Sequence, residues 1–179
     1  AVEAYQPQAF DLARAQFGLE TALRRAIDAR MLRLAYQPIV DLSSGRIVAF
    51  EALARWRDEA GHNVPPDQFI TVAEESGLII PLGRWALDEA VQTLADWQAR
   101  GADDSVRMAI NVSAIQLQRD NVPRLVERVL AATGIAGSRL TLELTESAVI
   151  ADPDRIAQVM QALKSVGVTL AMDDFGTGY

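Results

Sequence analysis

The chain has 179 residues, half of them hydrophobic, and a mean hydropathy near zero at +0.07. That composition supports a globular core and excludes a disordered chain; with no long uncharged apolar run, no transmembrane helix is expected. A net charge of -7 disfavours nonspecific binding to nucleic-acid polymers or anionic membranes, and the lack of cysteine excludes disulfides and thiolate metal sites.

A phosphate-bearing substrate stays compatible with this charge, because bound cations can supply the positive counterpart. No basic-then-apolar leader opens the chain, and a cytoplasmic location is expected.

Residues 8 to 29 read as a helix with Leu19, Leu23, Ala26 and Ile27 on one stripe. Leu34 to Val40 and Arg46 to Trp56 read as strands joined by the turn Asp41-Leu42-Ser43-Ser44-Gly45, which predicts an antiparallel pair. Period two places Glu51, Leu53 and Arg55 on one face of the second strand, and Gln37 shares a face with Ala35 and Ile39 on the first. A same-face ion pair between Glu51 and Arg55 is the plain structural alternative. The stretch from Asp58 to Pro66 reads as a loop holding the only histidine, His62, which is expected to be solvated.

Helices are then expected from Pro66 to Ser76 and from Pro81 to Gln98, closed by Gly77 and Gly101. Trp85 and Trp97 follow the helical period and read as core. A strand over Val106 to Ser113, a helix over Asn121 to Thr133 and a strand over Arg139 to Thr145 follow. Asp152-Pro153 opens another helix that ends at Gly167, and the run Val168 to Met172 climbs into Asp173-Asp174 as a last strand. From the second strand on, strands alternate with helices, which predicts parallel strands with crossover helices.

In such folds reactive side chains gather at the C-terminal ends of the strands. Four strands bring a hard oxygen donor there, namely Glu51, Asn111, Glu143 and Asp173, with Asp174 beside the last. Oxygen donors suit magnesium, manganese or calcium rather than zinc, and adjacent aspartates suggest two cations. One polar residue in a strand is an ordinary satisfied core group. The same device on four successive parallel strands reads as a site.

Tyr36-Gln37-Pro38-Ile39-Val40, Glu51-Ala52-Leu53 with Arg55-Trp56, Asn111-Val112-Ser113, Glu143-Leu144-Thr145-Glu146-Ser147 and Asp173-Asp174-Phe175-Gly176-Thr177-Gly178-Tyr179 together resemble the EAL domain family. The resemblance covers about residues 20–179. It leaves residues 1–19 as a linker or leading helix, in keeping with an upstream GGDEF or sensory domain. It implies an α/β fold, a modified TIM (β/α)8 barrel with an antiparallel first strand. The chain stops after about the fifth strand, well short of the ~250 residues of a full barrel, so it is expected to be a piece of a longer protein.

The family hydrolyses cyclic di-GMP to linear pGpG with magnesium or manganese, and calcium inhibits. By resemblance Glu51, Asn111, Glu143 and Asp173 are metal ligands and Asp174 helps hold a second ion, so Glu51, Asp173 and Asp174 carry catalysis. The implied step is in-line attack on phosphorus by an activated water. Arg55 contacts a substrate phosphate, Gln37 and Leu53 line the substrate groove, and Glu146 steadies the loop after Asp174. A homodimer is implied as well. The alternative is a non-catalytic EAL domain or fragment that binds cyclic di-GMP or a protein partner.

Overall fold

The computed structural model describes residues 7–145 and 153–173. Helix α1 (Pro7–Asp28) leads into strands β1 (Leu32–Val40) and β2 (Ile47–Arg57), which pair antiparallel with Gln37 opposite Glu51. Asp41 builds the turn between them. Its Oδ1 accepts the amides and hydroxyls of Ser43 and Ser44, and those hydrogen bonds lower its carboxyl to about 2. The expected loop after β2 contains a two-residue strand, β3 (Asn63–Val64), paired with the end of β2.

Helix α2 (Pro66–Ser76) starts on a proline, which needs no hydrogen-bond acceptor there, and ends at Gly77 with φ 77°. Helix α3 (Ile79–Ala99) begins two residues before Pro81, because a proline in the first turn costs no helical hydrogen bond. Strand β4 (Arg107–Val112) follows. Helix α4 (Ala114–Arg119) lies in a stretch with no predicted element and is held by a reciprocal capping box between Ser113 and Gln116. Helix α5 (Val122–Thr133), a 3-10 turn (Gly137–Arg139), strand β5 (Leu140–Thr145), helix α6 (Pro153–Ser165) and strand β6 (Thr169–Asp173) complete the described chain.

The sheet runs β1-β2-β4-β5-β6, and every pair from β2 to β6 along this path is parallel. Alternation splits each strand between two environments. Met108, Ile110, Leu140, Leu142 and Leu144 point under α3, α5 and α6 and are nearly or fully buried. Each such side chain contributes roughly 1.5–3 kcal/mol by leaving water. A second cluster joins α1, α2 and the start of α3 to the end of β2 through Leu23, Trp56, Phe69 and Leu82. Trp97 lies in the first cluster, edge-on to Tyr36 and Phe50 at centroid distances of 5.1 and 4.9 Å, and Trp85 packs on the second.

Candidate functional site

The other face of the sheet carries the candidate site residues. Parallel register pairs Glu51 with Ala109, Asn111 with Glu143, and Thr145 with Asp173. Glu51, Asn111 and Glu143 therefore share one face; Asn111 and Glu143 stand level with each other, two register positions nearer the C-terminal ends of the strands than Glu51, and Asp173 falls two positions further along β6. Asn111 Nδ2 donates to Glu51 Oε1 at 2.8 Å, joining β4 to β2. Glu51 and Glu143 are half-buried and Asn111 is exposed. The alternative, an ion pair between Glu51 and Arg55, is not formed. Arg55 instead donates from Nη1 to its neighbour's carbonyl, Ala54 O, at 2.9 Å.

Leu53, Arg55 and Asn111 open onto a cleft of about 280 Å³ at the ends of β2 and β4, closed by α2 and α3. Its walls are mainly apolar, with Glu74 and Gln116 among the polar exceptions. Gln37 is exposed and lies across the strand pair from Glu51. Asp173 ends β6 in register, while Asp174 and Glu146 lie outside the described residues. His62 is exposed and, among the described residues, pairs only with Asp58 of its own turn, at 3.3 Å. A larger groove of about 770 Å³ between α1, β1, α3 and α5 holds none of the expected site residues. Arg128 and Asp88 in its lining pair with each other at 2.9 Å.

Two cleft residues carried no sequence expectation. Gln116 is nine-tenths buried; its Oε1 accepts from Ser113 N at 3.0 Å, and Ser113 Oγ accepts from Gln116 N at 3.3 Å. The Ser-x-x-Gln spacing is the signal that marks it. Glu74 sits in the last turn of α2, where a carboxylate opposes the helix dipole, and that misplacement is its signal.

Among the described residues no three Asp, Glu, His or Cys side chains form a cluster able to hold a cation. The described donors are two carboxylates and an amide. That set fits a hard cation: the hydrogen bond engages the nitrogen of Asn111 and one oxygen of Glu51, leaving an amide oxygen and a carboxylate oxygen as ligand atoms.

The EAL domain family profile matches residues 20–179. The chain belongs to the EAL domain family. It is 43% identical over 169 residues to an uncharacterized signaling protein of Caulobacter vibrioides, which covers 94% of this chain and 20% of that protein. It is 37% identical over 161 residues to the cyclic di-GMP phosphodiesterase PdeR of Escherichia coli K12, covering 90% of this chain and 24% of PdeR. The chain thus spans about a fifth to a quarter of the length of the curated relatives it matches. Among solved structures, the PaMucR phosphodiesterase in complex with c-di-GMP superposes with a TM-score of 0.85 at 36% identity, over 90% of this chain and 65% of that one. The α/β architecture with its mostly parallel sheet is that of the TIM-barrel-like EAL fold, and the antiparallel β1 is part of it. No described helix is long and apolar enough to cross a membrane.

Proposed function

We propose that the protein carrying this EAL domain hydrolyses cyclic di-GMP to linear pGpG in the cytoplasm, with magnesium or manganese as cofactor. The observation that carries the reading is the hydrogen-bonded pair Glu51–Asn111, with Glu143 in register beside Asn111 and Asp173 at the end of the next strand, next to a cleft that holds Arg55. Similarity to PdeR and to PaMucR supports it.

In this reading Glu51, Asn111, Glu143 and Asp173 hold one cation, and Asp174 helps hold a second. Bound there, divalent cations would supply Lewis acidity toward a water and toward the phosphoryl oxygens. The chain's own part is positioning. Arg55 draws a substrate phosphate toward the strand ends by charge-assisted hydrogen bonds. Leu53 and the apolar cleft walls exclude water around the substrate, and Gln37 borders the groove from β1. The link from Asn111 to Glu51 fixes both side chains before substrate arrives, so little ordering is left to the reaction. Glu146 steadies the loop after Asp174. Residues 1–19 are a connector to an upstream GGDEF or sensory domain, residues 20–179 are the N-terminal part of the EAL domain, and the domain works as a homodimer.

The test is conversion of cyclic di-GMP to pGpG by the complete domain with magnesium or manganese, beside Glu51→Ala and a chelator control. Turnover that is lost in both controls is expected. A protein that binds cyclic di-GMP with any of these ions yet never cleaves it would be a sensor, and the enzymatic reading would fail.

A further inference from the structure

We propose that Glu74 reads the Watson–Crick edge of a guanine seated in the 280 Å³ cleft, making it a specificity-determining residue of the cyclic dinucleotide site. The inference rests on the reading of this cleft as the substrate groove.

Glu74 is poorly placed for stability alone. It stands in the last turn of α2, where no basic residue offsets it, and the helix dipole there disfavours an anion. Its neighbour Glu75 has a partner in Gln16 of α1. Glu74 has no side-chain hydrogen bond or ion pair among the described residues, and burial alone pushes its carboxyl above the usual range. A half-buried carboxylate without a partner is costly, so a ligand is the natural source of the missing donors.

The cleft states what that ligand must carry. Leu53, Pro66, Ile70, Ile79 and Leu82 give it apolar walls suited to a flat ring. Arg55, in the same cleft, forms no ion pair with Glu74 among the described residues and is available to an anion. The buried Gln116 is committed to the α4 capping box and does not compete. The ligand therefore needs a ring, an anionic group and a donor edge. A guanine nucleotide has all three. Guanine presents N1–H and the N2 amino group side by side, a match for the two oxygens of a carboxylate. Adenine presents one donor beside a ring-nitrogen acceptor, which a carboxylate repels. The volume lies near the low end of the ~300–1,000 Å³ range of small-molecule sites, which suits one base rather than a whole dinucleotide.

The experiment measures affinity for cyclic di-GMP and for its hypoxanthine analogue, which lacks the N2 amino groups, by calorimetric titration. It uses the complete domain with calcium, as the unaltered protein, Glu74→Gln and Glu74→Ala, each checked by thermal melting. Loss of a charge-assisted pair predicts that the preference for guanine falls about tenfold to a hundredfold in Glu74→Ala, with Glu74→Gln between. With cyclic di-GMP as substrate, KM rises more than kcat falls, because Glu74 holds the base from α2 and is not one of the strand-end donors at the phosphate. If both variants fold and keep the unaltered protein's preference, or if that protein shows none, the assignment of Glu74 is overturned while the phosphodiesterase reading stands. If the unaltered protein binds neither dinucleotide, the reading of the cleft itself fails.

Discussion

Gly83 packs α3 against α4 with no room for a methyl group. A Cβ built on it would stand 1.8 Å from Gln116 Nε2 and 2.6 Å from its Cδ. An exposed glutamine would swing away at little cost. Gln116 cannot, because it is 5% exposed and its Oε1 caps Ser113 N. Gly83→Ala therefore sets three effects against one another. Helix propensity favours alanine by about 1 kcal/mol. Loss of the cap costs about 0.5–2 kcal/mol and overpacking about 1–3 kcal/mol. The net is a destabilisation of about 0.5–4 kcal/mol, about 2 kcal/mol at the midpoint, and each kcal/mol lowers Tm by about 2–4 °C at this chain length. Urea unfolding of Gly83→Ala, Gln116→Ala and the double variant gives the decisive comparison. With Gln116 shortened, Gly83→Ala is expected to be neutral or to stabilise by up to about 1 kcal/mol, leaving only its propensity gain. If it costs the same in both backgrounds, the clash is not the cause and the reasoning is refuted.

At Gly137 the obstacle is main chain: a Cβ would lie 2.2 Å from the carbonyl oxygen of Val166. No side chain can rotate aside, so Gly137→Ala is expected to cost more than Gly83→Ala, about 3 kcal/mol, read from the same urea curves. Asp120 is gripped by Arg84 through two hydrogen bonds of 2.6 and 2.8 Å, and they hold its carboxyl below the usual range. A depressed folded value means that its stabilisation is complete above about pH 4 and is lost as pH falls through that value. Asp120→Asn should cost about 1 kcal/mol at pH 7 and flatten the stability profile below pH 4, measured by melting from pH 2 to 7.

Elements with a strong period or cap were readable from residues alone. Leu140, Leu142 and Leu144 alternate cleanly and are fully buried, and Gly77 and Gly134 stop their helices at φ 77° and 73°. The shared face of Glu51, Asn111 and Glu143 was readable for the same reason. Their relative heights were not, because register is set by interstrand hydrogen bonding that no single strand's sequence records. β3 escaped because two residues carry no period. α4 escaped because six residues cannot show an amphipathic stripe, although Ser113 and Gln116 mark its start. Glu74 carried no expectation, since burial at that position depends on the walls supplied by β2 and α3.

The two apolar clusters meet along the cleft: Ala52, Ile110 and Val112 belong to one, Ile79 and Leu82 to the other, and all five line it. Strand β2 and helix α3 run through both, with Ala52 and Leu87 in one cluster and Trp56 and Leu82 in the other. The cleft is thus a seam bridged by two continuous elements, and a substitution that loosens either cluster is felt along its walls.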